Sequence, residues 1–228
     1  MDAGLRRAWT EVVTSADYER HMASIGQAQA AAALTRRIVQ SAGLPSGARV
    51  VIAGAGTGQM LDHLDAALLR PFRLTCTDLN RSFLSCLEER LVRYGLTAAV
   101  FEDDFEQTAI EPAPDLLLAC LLLEHIDWRR GVDRMTGLRP GASGIIIQEN
   151  PPGMTSAVTP GRVLPDSIAK AVEFAHPSLV PYDELLAAFE ARGYRCAGRW
   201  AEEVADGKRL SAILFTETAR PAAGLRSS

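Results

Sequence analysis

Apolar residues along this chain fall into two kinds of run that alternate. Short aliphatic runs recur at Val50–Ile52, Phe72–Thr77, Thr97–Phe101, Asp115–Cys120 and Gly144–Gln148. They have the composition of strands buried in a parallel sheet. Between them, apolar residues recur three and four apart, as on one face of a helix. Gln59–Arg70 does so through Met60, Leu61, Leu64, Ala67 and Leu68, and Pro71 ends it. Ser82–Tyr94 does so through Phe83, Leu84, Leu87 and Leu91, with Gly95 as its C′ residue. Arg129–Leu138, Ser167–Phe174 and Asp183–Arg192 read as further helices. Ahead of the first strand, Leu5–Val13 and Tyr18–Gln40 predict two helices broken near Thr14–Asp17, with Ser15 or Asp17 as the cap. Tyr194–Val204 and Arg209–Thr216 alternate imperfectly about Asp206–Gly207, a hairpin signal. Strand–helix alternation of this kind predicts one α/β domain.

The first strand runs straight into Gly54–Ala55–Gly56–Thr57–Gly58. A strand that turns through glycines into a helix gathers backbone N–H groups and the positive end of a helix dipole at one point. Glycine also permits positive φ and lets a ligand lie on bare backbone. This is the signature of a nucleotide-type cofactor site. A phosphate-binding loop is excluded, because no Lys follows the glycines. A dinucleotide fingerprint requires a third glycine where the chain has Gln59. Asp78 ends the second strand, twenty positions past Gly58. A carboxylate there can accept both hydroxyls of a ribose. Asp78 or Asn80 is equally placed to cap the following helix.

The resulting G-x-G-x-G pattern resembles motif I of the class I S-adenosylmethionine-dependent methyltransferases. The resemblance covers Arg49–Gln148 and, in outline, Tyr182–Thr216. It implies a Rossmann-like fold with a mainly parallel seven-stranded sheet, order 3-2-1-4-5-7-6, flanked by helices. Residues 1–48 would form a helical lid, residues 49–217 the S-adenosylmethionine-binding domain and residues 218–228 a tail. Cofactor contacts are implied for Ala53, Gly54, Ala55, Gly56 and Gly58, for Asp78 with Leu79, and for Leu121 after the fourth strand. At the adenine amino group Asp104 and Phe105 fit best, with Asp103 as the off-by-one alternative; an acidic surface turn is the bland reading. One departure stands out. The family usually carries an acid two positions before the first glycine, where it helps hold the cofactor's amino group. Here that position is Ile52, so another residue does this or binding is weaker.

Leu121–Trp128 is similar to the family's Glu-His segment beside the transferred methyl. His125 is a candidate general base because its ordinary pKa lies near neutrality, or it caps the strand through backbone. Tyr18 and His21, three apart, share a helix face. They are expected to cover the cofactor's methionine end and to touch the acceptor beside His125; plain packing is the alternative. Asn150–Pro151–Pro152 does not match the motif of amino-methylating DNA enzymes, since Gly153 replaces the aromatic residue and the stretch follows the fifth strand. Met154–Pro165 has no period and reads as a loop on the acceptor side.

Composition narrows the partners. A formal charge of −4 over 228 residues argues against a nucleic-acid binder. Cys76, Cys86, Cys120 and Cys196 have no metal spacing, so no metal is expected and reduced thiols are. Leu116–Leu123 is far short of the roughly 20 residues that span a bilayer. The N-terminus has no apolar core and carries Asp2, Arg6, Arg7 and Glu11, so no membrane partner and a cytoplasmic location are expected. The expected reaction is in-line methyl transfer to a nitrogen or oxygen of a small molecule, with the oligomeric state left open. The rivals are a non-catalytic member of the fold that binds cofactor or a partner, and a nicotinamide-dependent oxidoreductase, which Gln59 disfavours.

Overall fold

The computed structural model describes residues 3–218. Seven strands form one sheet: β1 (Arg49–Ala53), β2 (Arg73–Asp78), β3 (Ala98–Glu102), β4 (Leu116–Cys120), β5 (Ala142–Glu149), β6 (Tyr194–Glu203) and β7 (Arg209–Glu217). Their order is 3-2-1-4-5-7-6. The pairs from β3 to β5 are parallel, and β7 runs antiparallel to both β5 and β6. The implied topology is therefore the observed one. Between β6 and β7, Asp206 and Gly207 both take positive φ (65° and 68°), which the hairpin signal required.

Successive side chains of a strand point to opposite faces, so each central strand feeds two cores. Val50, Ile52, Leu116, Leu118 and Ile146 face Leu34 and Ile38 of α3 (Gln27–Ala42) and Leu84 and Leu87 of α4 (Arg81–Arg93). Val51, Leu117, Ile145, Ile147 and Ile213 face Val132 and Met135 of α5 (Trp128–Gly137) and Leu185 and Phe189 of α7 (Tyr182–Glu190). Gly144 lets α3 sit close on the sheet, because a Cβ there would lie 2.5 Å from Ile38. A third cluster joins Ala8, Val13 and Phe83 to Ile168, Ala171 and Ala175, so the N-terminal segment packs on the start of α4 and on α6 (Asp166–Val172).

Two helical expectations are corrected. Tyr18–Gln40 is two helices, α2 (Ser15–Ser24) and α3, because Gly26 at φ 72° turns the chain between them. The cap of α2 is Thr14, whose hydroxyl accepts the Asp17 N–H, and not Ser15 or Asp17. Gln59–Arg70 is no helix but two 3-10 turns, Gln59–Asp62 and Ala66–Leu68. Asp65 accepts the Ala67 N–H and starts the second turn, while Arg90 and Tyr94 hold Asp62. Leu61, Leu64 and Leu69 are buried all the same. The apolar spacing reported burial correctly and conformation wrongly. The first helix, α1 (Ala3–Arg7), passes into a π turn at Ala8–Val12. Of the tail, only Thr218 is described, and it binds Gly193; residues 219–228 lie outside the described residues.

Candidate active site

The loops after β1 to β5 open at one end of the sheet, and the N-terminal segment lies across them. Between the two is a cavity of about 210 Å³, and a small apolar one beneath the glycine loop measures about 10 Å³. The wall of the larger cavity includes Tyr18, His21, Gly54, Gly56, Asp78, Leu79, Asp103, Asp104, Phe105, Leu121 and His125, so these sequence-derived candidates are brought together. Ala53, Ala55 and Gly58 stand behind that wall. Ala53 is buried in β1 and belongs to the core. Ala55 and Gly58 face the small apolar cavity beneath the loop. A Cβ on Gly58 would lie 2.5 Å from Leu87, so this glycine serves packing against α4.

Gly54 and Gly56 both hold positive φ, at 64° and 58°. A Cβ on Gly54 would meet Leu122 at 3.0 Å, and one on Gly56 would meet the Tyr18 hydroxyl at 3.5 Å. Because a 3-10 turn follows, little helix dipole reaches this point, which corrects the expectation of an anion-binding helix end. The Gly56 N–H is instead donated to Asp78 Oδ2 at 2.8 Å, and the Asn80 N–H to Asp78 Oδ1 at 2.9 Å. Asn80 caps α4, so the cap and the pocket carboxylate are different residues. Burial pushes the Asp78 pKa up, and the N–H groups of Asn80, Gly56 and Leu79 oppose that. The Gly56 and Asn80 N–H groups take one site on each oxygen, which leaves Asp78 acceptor capacity for a hydroxyl donor.

The two acids after β3 differ in what they bind. Asp104 caps a short turn through the Glu106 N–H and pairs with Arg6 of α1. Asp103 accepts the Ala109 N–H through Oδ1 at 2.8 Å, while its Oδ2 is buried with no partner. A buried acceptor lining a cavity without a donor fits an amino group brought by a ligand. Ile52 is 5% exposed inside the core, so no carboxylate replaces the family's usual acid from that position.

Leu121 is at φ 55°, a conformation that costs a non-glycine residue roughly 1–3 kcal/mol, and it turns the chain from β4 into the Leu123–His125 turn. There Trp9 Nε1 donates to His125 Nδ1 at 3.1 Å, with the rings edge to face. An indole N–H only donates, so Nδ1 is the bare nitrogen and Nε2 carries the proton. Burial lowers the His125 pKa to about 4. In this closed arrangement His125 is a neutral donor, and its basic nitrogen is already occupied.

The residue before it, passed over in the sequence, has the properties His125 lacks. Glu124 is 3% exposed and lines the cavity. Its Oε1 accepts the Gln148 N–H at 2.8 Å, and its Oε2 is buried without a partner. Burial raises its pKa to about 7.

The N-terminal segment is tied down along its length. Besides the Arg6–Asp104 and Trp9–His125 contacts, Asn80 donates to the Trp9 carbonyl, and Asp17 accepts the Ser167 N–H at 2.9 Å. Arg90, 9% exposed, binds Glu19, Asp62 and the Thr57 carbonyl together. Tyr18 is half-buried against Phe83 over Gly56, and burial raises its pKa. His21 lies at the other end, where burial, Arg162 and Lys208 lower its pKa.

Among the described residues no group of three or more His, Cys, Asp or Glu is arranged to hold a metal ion. No helix of the described residues is long and apolar enough to cross a membrane. The four cysteines are free thiols.

No curated protein matches this sequence. A family model described as a methyltransferase domain matches residues 51–142, from β1 to the start of β5. Among solved structures, magnesium protoporphyrin IX methyltransferase from Synechocystis PCC 6803, with bound SAH, is similar at 11% identity and TM-score 0.61, over 94% of this chain and 93% of that one. The mitomycin 7-O-methyltransferase MmcR is similar at 17% identity and TM-score 0.57, over 88% of this chain and 56% of that one. The cyclase SpnF is similar at 13% identity and TM-score 0.62, over 83% and 82%. Residues 51–142 thus carry a methyltransferase domain, and the glycine loop and the sheet order agree with the resemblance to the class I S-adenosylmethionine-dependent methyltransferases, whose cofactor is S-adenosylmethionine.

Proposed function

We propose that this enzyme methylates a nitrogen or oxygen of a small molecule held inside the cavity. Fold alone does not choose the acceptor, since the same fold serves SpnF, a cyclase. The observation that carries the reading is continuity. Gly54, Gly56, Asp78 and Asp103 share one cavity with side chains of the N-terminal segment and of the 157–162 and 204–208 loops. A cavity with the N-terminal segment as one wall suits a small acceptor.

When bound, S-adenosylmethionine supplies an electrophilic methyl on a sulfonium. The chain's own residues do the remainder. Asp78 takes the ribose hydroxyls, Asp103 Oδ2 the adenine amino group, with Asp104 as the neighbouring alternative, and Gly54 and Gly56 give bare backbone to the methionine part. Leu79, Phe105 and Leu121 line the same end. Tyr18 closes over Gly56 and excludes water. An acceptor N–H or O–H gains a methyl and loses a proton. Glu124 Oε2 receives that proton, and His125 Nε2–H donates a positioning hydrogen bond. Orientation and water exclusion are the main contributions such a transfer requires.

Titration with S-adenosylmethionine, S-adenosylhomocysteine and NADH tests the cofactor half. Binding of the first two and not the third is expected. NADH binding alone overturns the reading.

A further inference from the structure

The cavity has a second polar end, away from the glycine loop, made by His21, Arg162, Asp206 and Lys208. Its charges do not cancel. Asp206 directs its hydrogen bonds elsewhere, since Arg162 donates to both its oxygens, at 2.9 and 2.7 Å, and the Thr159 hydroxyl donates to it at 2.6 Å; it attracts Lys208 only through space, while the Arg162 charge repels Lys208. Lys208 is left over. It is 6% exposed, and its Nζ donates only to the Ala157 carbonyl, at 2.7 Å. An ammonium has three N–H donors, so two remain. No carboxylate of the described residues lies within ion-pair distance of it. Buried lysines without a partner are rare, because the charge is removed from water with nothing in return. Beside it, His21 Nδ1 is buried with no hydrogen-bond partner. Gln148 fixes the same Ala157 carbonyl through Nε2 at 3.0 Å, which holds the Lys208 anchor in place.

One spare positive charge, two free N–H groups and a neighbouring imidazole match a monoanion with two oxygens. A phosphate dianion would leave a negative charge unmatched. Between this end and the glycine loop the cavity wall carries large apolar side chains, Trp9, Phe83, Ile168 and Val172 among them. We infer that the acceptor is an apolar monocarboxylic acid, its carboxylate bound by Lys208 and His21 and its nucleophile directed back toward Glu124. The carboxylate is the anchor and not the atom methylated, since pairing with an ammonium withdraws its electron density. Only the second half of this inference rests on the methyl-transfer reading; the carboxylate subsite stands on Lys208 alone.

Saturation-transfer NMR on the whole chain, with and without S-adenosylhomocysteine, tests it. The probes are octanoate, 3-phenylpropanoate and indole-3-propanoate, each beside its primary amide. The acids are expected to bind at least tenfold more tightly than their amides. Lys208→Met should abolish that preference while S-adenosylhomocysteine affinity stays within twofold. Lys208→Gln keeps a donor for Ala157 and should do the same, which separates loss of charge from loss of fold. Equal binding of acids and amides overturns the subsite, as does a preference that survives both variants or an absence of acid binding in protein that binds S-adenosylhomocysteine. Acid binding through Lys208 in protein that does not bind S-adenosylhomocysteine keeps the subsite and overturns the methyl-transfer reading.

Discussion

The two ends of the cavity are built in different ways. At the glycine-loop end each residue lies at the end of a strand or directly after it: Gly54 and Gly56 after β1, Asp78 at the end of β2, Asp103 after β3, Leu121 after β4. Parallel strands bring those positions together by topology alone. At the acceptor end His21, Arg162 and Lys208 come from a helix, an irregular loop and a hairpin that are far apart in sequence. Only tertiary packing makes them neighbours. The cofactor end is what a family of enzymes shares, and the acceptor end is where one member differs from another.

The contrast is broken most severely at Gly56. Its φ of 58° strains any residue with a Cβ, and the branches of a larger side chain would extend from a Cβ already in contact with the Tyr18 hydroxyl at 3.5 Å. Gly56→Val should abolish S-adenosylhomocysteine binding by calorimetry while the circular dichroism spectrum persists. Gly58→Ala is the counterpart two residues on. It should lower Tm through the collision with Leu87 and leave cofactor contacts in place.

Glu124→Gln comes next, with a loss of about a hundredfold or more in kcat, the usual scale of a general base, and little change in S-adenosylhomocysteine affinity. If cofactor affinity falls instead, Glu124 holds the amino group that Ile52 cannot. The pH dependence sharpens this. The Glu124 pKa rises on folding from 4.5 to about 7, so the folded chain binds more protons than the unfolded one between those values. Its contribution to stability is present at low pH and lost as pH rises through about 7. The Gln variant should therefore gain on the parent by roughly 3 kcal/mol on going from about pH 4 to about pH 8, at about 1.4 kcal/mol per pKa unit. His125 behaves oppositely. Its pKa falls from 6.5 to about 4, so its contribution is lost as pH drops through that window. Thermal melts across pH 4–8 read both.

Smaller effects order the cofactor contacts. Asp78→Ala should weaken binding by about 1.5–3 kcal/mol, the range for hydrogen bonds to a charged group. Asp103→Ala should cost less than Asp78→Ala, since it removes one contact against two. Asp104→Ala should cost less again, because Arg6 and a turn N–H already use that carboxylate. An Asp104 variant weaker than the Asp103 variant would restore the order that the sequence alone suggests.

The fold was legible from local signals. Aliphatic runs, Gly95 and the Asp206–Gly207 turn each act on their own neighbourhood. Gln59–Arg70 misled because its leucines are buried as on a helix while Asp62 and Asp65 spend their side chains on Arg90 and Ala67. Asp103 and Asp104 were legible as a pair but not as individuals, because the choice depends on Arg6, far away in sequence. Glu124 carried no signal beyond its place beside His125. Its burial and its unpartnered oxygen exist only in the folded chain. Lys208 has no motif at all, and a charged residue after a hairpin turn reads as solvated.

Hydrogen exchange on residues 3–24 and Gly54–Gly58, with and without S-adenosylhomocysteine, tests most directly whether the N-terminal segment and the strand ends form one cofactor chamber. Both segments should gain protection together when ligand is added, with the amides around Trp9 and Tyr18 slowed as strongly as those of the glycine loop. Protection confined to the glycine loop would make the N-terminal segment a fixed scaffold, and unchanged exchange in both would contradict the site itself.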